Sequence, residues 1–127
     1  MWNKSKAVEH LNAHAQPHSI GRCAEYVRKA VEAGGVKLYH HISAKDYGTS
    51  LAHVGFKKIV HAHANAHYHH RAGDVAIIQP ITGHPHGHMT MFNGSIWVSD
   101  FKQYHGLYPG HSYRLDHPAY AIYRYPL

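Results

Sequence analysis

The first apolar positions of the chain, Ala7, Val8 and Leu11, recur at helical spacing and predict a helix over residues 4–13. Gln16, Pro17 and His18 interrupt it, because proline cannot extend a helical ladder and restricts the residue before it. A better-marked stripe, Cys23, Tyr26, Val27, Ala30 and Val31, predicts a second helix, with Ser19 as its cap and Gly34-Gly35 as its stop. Cys23 then falls in the first turn. Between residues 36 and 70 the periodicity weakens: Tyr47-Gly48-Thr49 reads as a turn and residues 54–60 as a short strand or helix. Beyond that the chain becomes β-rich, with strands predicted over residues 74–78, 88–92, 96–101 and 120–125. Helices first and consecutive strands afterwards argue for one α+β domain over residues 1–127, its helices packed on one side of an antiparallel sheet.

A chain of 127 residues buries roughly two-thirds of the surface its unfolded form exposes, enough for a core and a cleft. No stretch approaches the roughly 20 continuous apolar residues of a membrane helix, so no membrane partner is expected. The opening Met-Trp-Asn-Lys-Ser-Lys is followed by histidine and asparagine rather than an apolar signal core, so no secretion signal is expected either. Lys and Arg outnumber Asp and Glu by 13 to 7, a net charge of +6 that rises as any of the 17 histidines protonate. That balance favours anionic surroundings such as nucleic acid, lipid headgroups or bacterial cell wall. No nucleic-acid recognition motif accompanies the charge, and nucleic acid is not an expected partner.

The single cysteine excludes an intramolecular disulfide and leaves one thiol to explain. A cysteine on an apolar helical stripe is ordinarily a small buried hydrophobe. At a helix start beside an imidazole, however, it becomes a nucleophile. The segment from Gly87 to Asp100 supplies such an imidazole: His88 opens a strand, Asn93-Gly94 turns the chain, and Asp100 lies on the return. A two-residue loop would set His88 against Ser99. A three-residue loop, Asn93-Gly94-Ser95, would pair Phe92 with Ile96 and set His88 opposite Asp100, giving the histidine an orienting acid.

Three marks stand in order along the chain: Arg22-Cys23-Ala24-Glu25-Tyr26-Val27, Gly73-Asp74-Val75-Ala76-Ile77-Ile78, and Gly87-His88-Met89-Thr90-Met91-Phe92-Asn93-Gly94. This resembles the NlpC/P60 and CHAP group of peptidoglycan hydrolases, whose pattern is a helix-start cysteine, a Gly-Asp strand, and Gly-His opening the next strand. Arg22 before the cysteine and Ala24 after it look closer to the CHAP branch. The resemblance implies a papain-like fold and a third polar residue after the histidine, often His or an amide in these families; Asp100 takes that place here. It further implies hydrolysis of a stem-peptide amide of bacterial peptidoglycan: Cys23 attacks, His88 serves as base and acid, and a thioester forms without any cofactor. The Cys23 backbone amide and Gln16 are the expected oxyanion donors. A compact domain of this kind resembles an amidase toxin delivered by a type VI secretion apparatus, or a phage lysis enzyme. The toxin reading implies synthesis in the cytoplasm, action in the periplasm or wall of a target bacterium, and a cognate immunity protein.

The histidines support a rival reading, a non-catalytic domain that binds metal or a polyanion. His63 and His67 are four apart, and His84, His86 and His88 alternate as strand neighbours would. Neither these nor His61, His69 and His70 carry a recognised zinc spacing, and no metal is expected. The tyrosines from Tyr104 to Tyr125, interspersed with Lys102, Arg114 and Arg124, read as packing residues or as the lining of a peptide cleft.

Overall fold

The computed structural model describes residues 1–62 and 69–126, with residues 60–62 described by backbone alone. Helix α1 (Lys4–His14) starts at Asn3, whose side chain accepts the Lys6 amide at 3.0 Å, and buries Ala7 and Leu11. Helix α2 (Cys23–Ala33) packs against it and against the sheet through Val27, Ala30 and Val31. Its start departs from expectation. Ser19 does not cap it; the helix begins at Cys23 after Arg22, with no side-chain cap, and a buried acid from the sheet takes up the preceding amides instead. The Trp2 indole locks the far end of the helix pair, donating to the Val31 carbonyl at 2.8 Å and packing edge-on against Phe56. A Cβ at Gly34 would collide with that indole.

Residues 47–49 do not turn. After a short 3-10 segment (Ala44–Asp46), α3 (Tyr47–His53) runs through them. Gly48 is there because the Tyr123 hydroxyl comes too close for any Cβ, so the glycine serves packing, not turning. The strands are β1 (Lys57–Ala62), β2 (Val75–Ile78), β3 (His88–Phe92), β4 (Trp97–Val98), β5 (Lys102–Gln103) and β6 (Tyr120–Arg124). A further helix, α4 (His111–Asp116), separates the last two. The sheet order is β1-β6-β2-β3-β4-β5, antiparallel at every pairing. Alternation sorts its faces: Val75, Ile77, Met89, Met91 and Val98 join the core under the helices. Ala76, Trp97 and Ile122 form a second cluster on the opposite face, with Phe92 and Leu107 packed against it. The fold is α+β on an antiparallel sheet.

The strand expected over residues 96–101 is reduced to two residues, and its register differs. The Asn93 side-chain carbonyl accepts the amides of both Ser95 and Ile96 at 2.8 Å, closing a turn that lengthens the loop by one residue. Phe92 therefore pairs with Trp97 rather than Ile96, and Met91 with Val98. The chain then bends at Ser99 and returns as β5, so Asp100 never lies opposite His88.

Gly73-Asp74 marks an ion pair, not a reactive group. Asp74 is 1 % exposed, and its two carboxylate oxygens accept Arg124 Nε and Nη2, each at 2.7 Å. The contact ties the entry of β2 to the exit of β6. Removing one partner of such a pair leaves the other charge stranded, which typically costs about 3 kcal/mol or more. Arg124→Met is accordingly expected to lower the urea-unfolding free energy by about 3 kcal/mol, and a loss below about 1 kcal/mol would show the pair to be a surface contact.

Candidate active site

A cavity of about 490 Å³ opens where the start of α2 meets the first residues of β3, with Cys23, His88, Asp100 and Tyr113 in its wall. A second hollow of about 330 Å³, lined by Glu25, Arg28, His41 and Tyr47, shares Gly21, Cys23 and His86 with the first. Cys23 thus stands where two clefts meet. Gly87 sets the entry to β3: at φ +70° it lies so close to the Ile78 carbonyl that a Cβ would collide, and it delivers His88 into the wall.

Three of the sequence-predicted residues meet here, but their contacts differ from expectation. His88 Nε2 lies 2.8 Å from Gln103 Oε1, not from Asp100. The Gln103 amide nitrogen donates to the carbonyls of Gly106 and Leu107 at 3.1 and 2.9 Å, which fixes Oε1 as the acceptor. His88 must then carry its proton on Nε2 and hold a lone pair on Nδ1. Asp100, 0 % exposed, accepts the backbone amides of Ile20 and Arg22 at 2.8 and 3.0 Å, and the Ser99 hydroxyl at 3.2 Å. It is an electrostatic neighbour of His88 rather than its hydrogen-bonded partner. Gln16 does not line the cavity: its side-chain amide donates to the His14 carbonyl at 3.2 Å and reaches the Tyr26 hydroxyl at 3.5 Å, while its backbone amide donates to the Asp100 carbonyl at 2.7 Å.

Burial dominates the site's protonation. It pushes the Cys23 thiol up to about 11; backbone hydrogen bonding by Met89 opposes the rise, and the Asp100 charge adds to it. It pushes the His88 imidazole down to about 4, against the Gln103 hydrogen bond and the Asp100 charge, which both favour the imidazolium. At neutral pH the pair is a thiol and a neutral imidazole. Among the described residues no hydrogen bond joins them.

No protein-family model matches the chain, and no curated protein does. Among solved structures, the native type VI effector-immunity complex Tae3-Tai3 from Ralstonia pickettii contains a chain that is 48% identical, aligned over 98% of this chain and 100% of that one, with a TM-score of 0.89. The selenomethionine form of that complex gives 50% identity over 94% and 99%, with a TM-score of 0.86. The chain belongs to the Tae3 effector family. Identity of that order over the whole length carries the α+β antiparallel sheet along with the fold.

Sequence reasoning missed Gln103 in this Tae3-family chain, and it reached Tyr113 only as one of the tyrosines from Tyr104 to Tyr125 read as packing or cleft lining. Gln103 lies on β5, beyond the bend at Ser99, and not on the strand that follows the histidine. Tyr113 sits on a helix too short to leave a periodic signal. The histidine run 84–88 is not a strand: Ile81 and His84 close a turn, His86 Nδ1 meets the Ser43 hydroxyl, and only His88 enters β3. Among the described residues no three metal-ligating side chains converge. His63 and His67 lie outside the described residues, and of His61 only the backbone is described.

The depressed His88 value makes stability depend on pH. The imidazole binds protons near pH 6.5 in the unfolded chain but only near pH 4 in the fold, so its stabilising contribution is complete above pH 6.5 and is lost as pH falls toward 4. Between pH 7 and pH 4.5 the chain is expected to lose about 2 kcal/mol more unfolding free energy than His88→Gln. Equal losses in urea titrations of the two would contradict a buried neutral imidazole.

Proposed function

We propose that the chain is a peptidoglycan amidase of the papain-like NlpC/P60 and CHAP type, a type VI effector that hydrolyses a stem-peptide amide in the wall of a target bacterium. The observation that carries this reading is the Gln103-locked His88 tautomer, which leaves Nδ1 as the base nitrogen of a histidine that lines the same cavity as Cys23. Family membership supports the effector role. The ordered Cys23, Gly73-Asp74 and Gly87-His88 marks support the branch, and the net charge of +6 suits an anionic wall polymer.

The reaction follows from the protonation states. Cys23 Sγ attacks the scissile carbonyl carbon as its proton passes to His88 Nδ1. The imidazolium so formed is held by Gln103 at Nε2 and favoured by the Asp100 charge. Collapse breaks the C–N bond, His88 Nδ1 protonates the leaving amine, and a thioester remains on Cys23. Water, deprotonated by His88, then releases the acid and restores the thiol. Resting distances need not be reactive ones, since catalytic contacts tighten when substrate enters. The two hollows meeting at Cys23 offer room for the chain on both sides of the cut. The histidine-rich binding reading gains no support from the described residues. Tae3 is found in complex with its immunity protein Tai3, and an immunity protein in the producing cell is expected for this chain, where covering the cleft would block it.

Digestion of purified peptidoglycan, with fragments identified by mass, tests the reading. Wild type is expected to release stem-peptide fragments, Cys23→Ala none, and His88→Ala at least about 100-fold fewer per unit time. Fragments released equally by Cys23→Ala would sink it. Gln103→Ala and Asp100→Asn separate the two polar neighbours. The first is expected to slow turnover by roughly 10- to 100-fold in a stable protein. The second is expected to remove about 2 kcal/mol of unfolding free energy by weakening the buried hydrogen bonds to Ile20 and Arg22. A stable, slow Asp100→Asn beside an unimpaired Gln103→Ala would return the orienting role to Asp100.

A further inference from the structure

We propose that the Tyr113 hydroxyl is the second oxyanion donor of the Cys23 site, binding the scissile carbonyl oxygen as it takes up negative charge. The inference rests on Cys23 being the nucleophile. Helix α4 brings this one side chain inward: Tyr113 is 4 % exposed, whereas its neighbour Leu115 is 67 % exposed. Its ring sits beside His84 and His88, with centroids 5.3 and 6.2 Å away, and lines the cavity that contains Cys23.

The Tyr113 hydroxyl faces the cavity: the buried side-chain polar atoms left without a partner among the described residues are His10 Nδ1 and Thr90 Oγ1, and the Tyr113 oxygen is not one of them. Other hydroxyls are engaged within the fold: Tyr108 donates to the Pro118 carbonyl at 2.7 Å and Tyr47 to the His41 carbonyl at 3.1 Å. The Tyr113 hydroxyl makes no hydrogen bond among the described residues, and none to the Cys23 thiol. An acceptor supplied by substrate would satisfy it. Burial, and then the charge of Cys23, push its pKa up to about 12, so it remains an O–H donor at any working pH. Gln16, the donor expected from the sequence, is engaged elsewhere.

In the addition step the Sγ–C bond forms, the carbonyl π pair moves onto oxygen, and the thiol proton goes to His88 Nδ1. Tyr113 donates a hydrogen bond to that oxygen and keeps its proton. The Cys23 backbone amide, at the start of α2, is the other donor.

Tyr113→Phe keeps the ring and removes only the hydroxyl. On soluble peptidoglycan fragments carrying cross-linked stem peptides, kcat is expected to fall by roughly 100-fold with KM within about 2-fold. Alkylation of Cys23 by iodoacetamide, which develops no oxyanion, is expected to keep its wild-type rate. An unchanged kcat beside an active wild type overturns this inference alone, as does alkylation slowed in step with hydrolysis, which would assign the hydroxyl to the thiol. A wild type without Cys23-dependent cleavage overturns both this inference and the amidase reading.

Discussion

The buried carboxylate of Asp100 joins the two halves of the molecule. Its side chain accepts the amides of Ile20 and Arg22, and its main-chain carbonyl accepts the amide of Gln16, so one residue in the bend between β4 and β5 ties down both ends of the connection between α1 and α2. The segment contains Pro17 and Gly21 and makes no helix of its own. Its residues 16–22 are solvent-exposed, so these bonds serve to fix the path of the connection. Because α2 begins one residue beyond Arg22, the same contact sets where Cys23 emerges relative to β3. The position of the Cys23 thiol is thus a consequence of satisfying backbone donors, with no side-chain cap involved.

That choice of anchor has an electrostatic price for a thiol. Asp100 raises the pKa of Cys23 and of His88 alike, favouring the imidazolium while opposing the thiolate. Burial outweighs both influences and leaves the pair neutral at rest. For the proposed reaction, proton transfer then belongs with bond formation, when the negative charge moves from sulfur toward the carbonyl oxygen. Any donor that meets that oxygen acts at the step where charge appears, and for this reason a hydroxyl in the wall of the Cys23 cavity carries more weight than a further group near the sulfur.

Much of the fold was legible. The stripes in α1 and α2 and the apolar runs of β2, β3 and β6 gave the right elements because each buries a face whose period shows in the chain. The misreadings have local causes. Gly48 looked like punctuation but exists to admit the Tyr123 hydroxyl, and Asn93 looked like a tight hairpin but bonds two amides and adds a residue to the loop. That single residue moved the register and took Asp100 from its place opposite the histidine, and the return of the chain at Ser99 brought Gln103 to it instead. A loop-length error of one is enough to reassign a site, because side chains on a strand change face at every step.

The marks that made the chain recognisable are mostly not the chemistry. Gly73 lies where a Cβ would press on Trp2 and Lys4, Asp74 clamps Arg124, and Gly87 yields to the Ile78 carbonyl. Each is a backbone or packing constraint that must recur wherever this sheet is built. They read clearly because only one residue type satisfies each of them. Gln103 and Tyr113 answer to weaker local rules: many residues fit a two-residue edge strand or a six-residue helix. Their importance comes from what lies across the cavity, in segments 15 and 25 residues away from His88, and only folding brings that to bear.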